Sequence, residues 1–164
     1  MEALENITYQ ELNVGDSATY TKTLTEAELV LFAAVSGDVN PVHVDPDYAS
    51  RTMFKGRIAH GMWSGALISA AVTTVIPGPG TIYLEQTLQF LAPVRLDDTL
   101  TVCATVLSKE PKNRILIDCV VVNQRNEVVV TGQAKLLAPT EKMTLDRPIL
   151  PPITIGETQP PAGI

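Results

Sequence analysis

The sequence predicts an α+β fold in which one antiparallel sheet wraps a buried helix. Two observations carry this. A run after residue 58, "AHGMWSGALISAAVTTVI", is apolar on nearly every face, and it is followed by consecutive strand-like runs with no helical pattern between them. The chain of 164 residues, with 45% hydrophobic and 18% charged residues, suits one folded domain of ordinary size.

The elements follow in order. Ser17 to Thr23 alternates as an early strand. "TLTEAELVLFAAVSGD" carries Thr25 with Glu28 three residues on, a capping-box pattern, and apolar residues at helical spacing. It predicts a helix from about Glu26 to Ser36, closed by Gly37. "SGDVNPVHVDPDYAS" (Ser36 to Ser50) cannot continue that helix because Pro41 and Pro46 interrupt it. A loop is expected there, with one helical turn at Asp47 to Thr52. The buried helix ends at "PGPG", Pro77 to Gly80. Strands are expected at Ile82 to Phe90, Thr99 to Ser108, Ile115 to Asn123 and Val128 to Leu137, separated by "LDD", "EPKNR" and "QRNE". Beyond Ala138 the chain is proline-rich and expected to lack regular structure. The organisation expected is one domain over residues 1–138 and a tail or linker over 139–164.

Composition excludes several classes. A net charge of -6 argues against general nucleic-acid binding, which needs clustered cations to neutralise phosphates. No stretch is long and apolar enough to span a bilayer, and the N-terminus has no secretory-signal pattern, so a cytoplasmic location away from membranes is expected. Cys103 and Cys119 sit in strand-like runs and read as packing residues.

Chemistry concentrates in the polar segment and just after it. Asp38 and His43 are five positions apart around Asn40-Pro41, a turn able to aim both side chains at one point. A carboxylate and an imidazole converging there would hold and deprotonate a water. Read locally, the same residues are turn formers and a satisfied loop histidine. His60-Gly61 stands where the buried helix begins. The N–H groups of a first helical turn have no internal acceptor and would receive a developing oxyanion, and Gly61 leaves them open to a ligand. The plainer reading is a capping histidine and a packing glycine. Tyr48, Phe54 and Trp63 would shape a cleft or pack the core, and Lys55 with Arg57 would receive phosphates or remain solvated. The two histidines and nearby Asp residues lack zinc-ligand spacing.

Gly37 to Leu67, "GDVNPVHVDPDYASRTMFKGRIAHGMWSGAL", resembles the signature of the MaoC-like (R)-specific enoyl-CoA hydratases, an Asp-x-Asn-Pro-x-His-x-Asp segment followed by an Ile-Ala-His-Gly helix start. The resemblance extends over about residues 9–138. It implies the hot-dog fold, homodimers or higher oligomers with interfacial sites, an acyl-CoA substrate, and no metal or other cofactor. It places catalytic roles on Asp38 and His43, and the backbone oxyanion donor on Gly61. Asn40, Tyr48, Phe54, His60, Met62 and Trp63 are the expected substrate-binding residues. The chain is also similar to the hydratase-like domain fused in some bacteria to a phosphate acyltransferase, so a fused or associated acyltransferase domain is an expected partner. Hydration of a short trans-2-enoyl-CoA to the (R)-3-hydroxyacyl-CoA is the reading. An acyl-CoA thioesterase and a non-catalytic acyl-CoA or acyl-carrier binding module are the alternatives.

Overall fold

The computed structural model describes residues 3–156. In chain order the elements are β1 (Ala3–Glu5), β2 (Ser17–Thr23), α1 (Glu26–Ser36), α2 (Pro41–Val44), α3 (Pro46–Arg51), α4 (Gly61–Thr74), β3 (Ile82–Phe90), β4 (Thr99–Glu110), β5 (Arg114–Val122), β6 (Val128–Leu137) and β7 (Thr144–Asp146). Five strands form one antiparallel sheet in the order β2-β4-β5-β6-β3. The chain leaves one edge at β2, crosses the sheet through α1 to α4, and re-enters at the opposite edge as β3. That crossing lays α4 against one face of the sheet.

Burial explains the arrangement. Trp63, Leu67, Ile68, Ala71 and Val72 of α4 are buried against Leu100, Val102, Ala104 and Val106 of β4 and Ile115, Ile117, Cys119 and Val121 of β5. On β4 and β5 these residues alternate with less buried ones, as a pleated strand with one face on a core requires. Each large aliphatic side chain fully removed from water contributes about 1.5–3 kcal/mol, so this one interface dominates the stability. The outer face is more polar, with hydroxyl pairs Thr21–Thr101 at 3.1 Å and Thr23–Thr99 at 2.8 Å joining β2 to β4.

Helix α1 matches its expected limits, with a complete capping box between Thr25 and Glu28 and Gly37 at φ 75° closing it. In the polar segment α3 meets the helical turn expected at Asp47 to Thr52, within one residue at each end, and α2 departs from the expected loop. Pro41 and Pro46 each occupy the start of a short helix, where a missing N–H costs nothing, and Asn40 and Asp45 cap them from the preceding position. Strand β4 runs two residues past its expected end, to Glu110.

The tail is corrected at one place: beyond Ala138 the chain is not wholly irregular, because β7 pairs with β1. Asn6, fully buried, explains the attachment. Its Nδ2 donates to the carbonyls of Pro79 and Glu141 at 3.1 and 2.9 Å, and its Oδ1 accepts from the Met143 N–H at 2.9 Å. No described helix is long and apolar enough to cross a membrane.

Cys119 lies in the core, and burial, then the charge of Asp118, pushes its thiol pKa up to about 12. A thiolate is the reactive form, so native protein at pH 8 is expected to leave Cys119 unmodified by a thiol reagent and to expose it only in denaturant. Peptide mapping after labelling reads this directly, and rapid native labelling of Cys119 would contradict the core assignment.

Candidate active site

The left-handed Gly37 turns the chain out of α1, and side chains then hold the next residues one by one. Ser36 Oγ accepts from the Asp38 N–H at 3.2 Å, Asp38 Oδ1 accepts from the Asn40 N–H at 3.2 Å, and Asn40 Oδ1 accepts from the Val42 N–H at 3.2 Å. These short-range bonds fix α2, and α2 carries His43 inward to 8% exposure. His43 Nδ1 lies 2.8 Å from the Ile58 carbonyl. A carbonyl only accepts, so the bond assigns the proton to Nδ1 and leaves the Nε2 lone pair free.

That lone pair faces Asp38. His43 Nε2 and Asp38 Oδ2 are 3.9 Å apart, beyond direct hydrogen-bond reach. Both atoms are acceptors, and the gap suits one water donating a hydrogen to each, with its oxygen lone pairs left over. The two partners differ in setting: the Asp38 side chain is 52% exposed and that of His43 10%.

His60 takes part from the other side. Its Nε2 lies 2.8 Å from the Asp38 main-chain carbonyl, and its ring stacks on His43 with centroids 3.8 Å apart and planes 26° apart. It occupies the N-cap position of α4 but makes no side-chain cap bond, and no acidic residue lies in that helix's first turn. The Gly61 N–H, at the first helical position, therefore retains the positive end of the helix dipole without a competing side-chain acceptor. A Cβ on Gly61 would stand 3.0 Å from the Phe90 ring, so glycine is what lets Phe90 close over the helix terminus.

Two adjoining cavities meet at this terminus. One, of about 340 Å³, is lined by His43, Phe54, Ile58, His60, Gly61 and Phe90, with Ala92, Val94 and Val130 among its further walls. The other, of about 520 Å³, is lined by Phe32, Ser36, Asp38, His60, Gly61, Met62 and Phe90. His60, Gly61 and Phe90 form the wall common to both.

Of the residues expected here, Asp38, His43, Phe54, His60, Gly61 and Met62 line these cavities. Asn40, Tyr48 and Trp63 do not. Asn40 serves the turn, Tyr48 lies 42% exposed on α3 with its N–H held by Asp45 Oδ1 at 2.9 Å, and Trp63 is buried in the core. Arg57 is committed to both carboxylate oxygens of Glu26, whose pKa that bonding lowers, so Lys55 and Arg57 do not act as a joint anion site. Sequence reasoning missed Phe90, forty positions beyond the polar segment, and the work of Ile58, done by its carbonyl.

Asp38, His43 and His60 each bring a potential ligand atom within 4.8 Å of the others. An imidazole binds metal along a lone pair in its ring plane, and two stacked, nearly parallel rings direct those lone pairs side by side. The arrangement suits a hydrogen-bonded pair better than a metal centre.

The sheet wrapped on α4 and the site at its N-terminus define a class: residues 12–130 match the MaoC like domain, and the chain belongs to that family, with the hot-dog fold. It is 43% identical to the (R)-specific enoyl-CoA hydratase of Rhodospirillum rubrum over 80% of this chain and 91% of that one. It is 37% identical to the 3-hydroxybutyryl-CoA dehydratase of Methylorubrum extorquens over 82% and 85%. The unliganded R-hydratase PhaJ1 from Pseudomonas aeruginosa superposes with a TM-score of 0.92 at 57% identity, covering 94% of this chain and all of that one.

The hydrogen bonds require opposite tautomers. Nitrogen-15 ring spectra recorded where both imidazoles are neutral are expected to show Nδ1–H on His43 and Nε2–H on His60. Matching tautomers would break one of the two assignments.

Proposed function

We propose that this protein is an (R)-specific enoyl-CoA hydratase that adds water reversibly to a short trans-2-enoyl-CoA. The observation that carries the reading is the 3.9 Å gap between His43 Nε2 and Asp38 Oδ2, two acceptors set for one water beside an uncapped helix N-terminus. The similarity to the Rhodospirillum rubrum (R)-specific enoyl-CoA hydratase supports the substrate class.

In this mechanism the thioester carbonyl oxygen rests on the Gly61 N–H. The water held by Asp38 and His43 attacks C3 with a lone pair, and the C2–C3 π electrons shift through the carbonyl carbon to its oxygen. One of the two acceptors takes the water's proton. The enolate collapses as C2 receives a proton from the same pair on the same face, giving the (R)-3-hydroxyacyl-CoA. Loss of an oxyanion donor typically costs about 100-fold to 1,000-fold in rate, and loss of a general acid or base about 100-fold to 10,000-fold.

The smaller cavity, walled by Phe54, Phe90 and Val130, supports a short acyl chain. A homodimer is part of the proposal. Edge strand β3 and the residue after it expose Ile82, Leu84, Phe90 and Leu91, an apolar edge suited to pairing with a second copy. The chain beyond β7, with its five prolines at 148, 151, 152, 160 and 161, is proposed as a linker or arm.

The test is loss of the enoyl-thioester absorbance of crotonyl-CoA, run beside a free-thiol assay. Hydration without thiol release is expected. Asp38→Asn and His43→Gln are each expected to lower turnover by at least about 100-fold with unchanged circular dichroism. Release of free CoA would assign the protein to the thioesterases, and unchanged turnover in either variant would remove that residue from the chemistry.

A further inference from the structure

We infer that His60 is the positioning residue of the acid/base pair, holding Asp38, His43 and Gly61 in mutual register without itself touching the water. This inference rests on the hydratase reading. Three contacts meet in one side chain and its own backbone. Nε2–H donates to the Asp38 main-chain carbonyl at 2.8 Å, which leaves carboxylate oxygen Oδ2 to face His43. The ring face supports the His43 ring at a centroid distance of 3.8 Å. The His60 main chain is the N-cap of α4, one peptide before the Gly61 N–H.

The unused nitrogen is the informative part. His60 is 3% exposed, and its Nδ1 is buried without a hydrogen-bond partner among the described residues. A buried acceptor left unpaired is destabilising, so an imidazole chosen for packing alone is a poor choice where phenylalanine would stack equally well. What histidine adds over phenylalanine is the single bond to Asp38. What it adds over glutamine is the flat face beneath His43. Phe32, with its ring centroid 5.1 Å from that of His60, packs on the same ring and limits its movement.

The held carbonyl matters because Asp38 follows Gly37, the freest hinge in the segment. The remaining side-chain restraints on Asp38, from Ser36 Oγ and to the Asn40 N–H, are both exposed 3.2 Å bonds, and the peptide after it is otherwise held only by the local Val39 N–H bond to the Gly37 carbonyl at 3.1 Å. Without the His60 bond this peptide keeps no partner outside its own turn, and the turn can swing on Gly37 and carry the carboxylate away from His43 Nε2. A misplacement of about 1 Å at a reacting pair costs on the order of 100-fold in rate.

The experiment compares wild type, His60→Phe and His60→Gln, each also combined with Asp38→Asn, using crotonyl-CoA as the probe and thermal unfolding as the control. His60→Phe is expected to lower kcat on the order of 100-fold with KM within about threefold, and His60→Gln to recover part of the loss. In the Asp38→Asn background, His60→Phe is expected to cost less than about threefold, because the carboxylate it positions is already gone. Losses that multiply in the double variant, a raised KM at unchanged kcat, or wild-type turnover in His60→Phe would each overturn the inference. If His60→Phe fails to fold, His60→Leu, which also lacks a donor for the Asp38 carbonyl, and its double variant decide on the same criteria. A wild type silent toward crotonyl-CoA would instead refute the hydratase reading, and amide hydrogen exchange then decides on His60. Faster exchange at Asp38 and Val39 in the folded His60→Phe variant supports positioning, and rates unchanged from wild type overturn it.

Discussion

Everything at the site depends on burying α4 without capping it. The apolar face of this helix must lie against the sheet, because Leu67, Ile68, Ala71 and Val72 have nowhere else to go. That packing brings its N-terminus to the junction of two cavities, where Gly61 is exposed and the first N–H groups still require partners. A capping side chain or an acidic first turn would satisfy them, and neither is present. The fold thus carries a concentrated positive dipole end facing two cavities. A ligand oxygen that acquires negative charge is what such a terminus stabilises most.

That same constraint ties the polar segment to the helix. The residue at the cap position is free of capping duty, so its imidazole reaches across to the Asp38 carbonyl and under the His43 ring. Residues 38 and 60 are far apart in sequence and joined by one bond. The catalytic-type pair is consequently positioned from both ends, by local turn chemistry on the α1 side and by α4 on the other.

How much of this was legible differs by the range of the interaction. Helix α1, β2, β3 and β6 were readable to the residue because their causes are local: a capping box, a left-handed glycine, period-two alternation between turns. The prolines misled only in part. They do interrupt the helix, but with Asn40 and Asp45 before them they also begin new ones. Trp63 and Met62 adjoin in sequence yet one faces the core and the other a cavity, a distinction set by the rotation of α4 against the sheet and absent from any local pattern. Phe90 enters because the sheet closes its far edge onto the helix start, and Ile58 because a main-chain carbonyl carries no residue signature. Strand β7 depends on Asn6, more than a hundred positions away.

The asymmetry between the paired groups follows from the same geometry. His43 sits beside apolar Phe54, Ile58 and Val94, whereas Asp38 borders the wider cavity and keeps half its side chain in solvent. The buried member keeps Nε2 turned to the gap through its Nδ1 bond to the Ile58 carbonyl, and the exposed member keeps Oδ2 turned to the same gap. A neutral imidazole and an ionised carboxylate are both acceptors, which is the state that holds a water by its two hydrogens and leaves its lone pairs pointing outward. For addition to an activated double bond, that orientation is the useful one: the nucleophilic lone pair faces the substrate, and the apolar wall beside His43 excludes competing water from the carbon chain. The division of the site into a dry side and a wet side is therefore part of how a single water would be aimed.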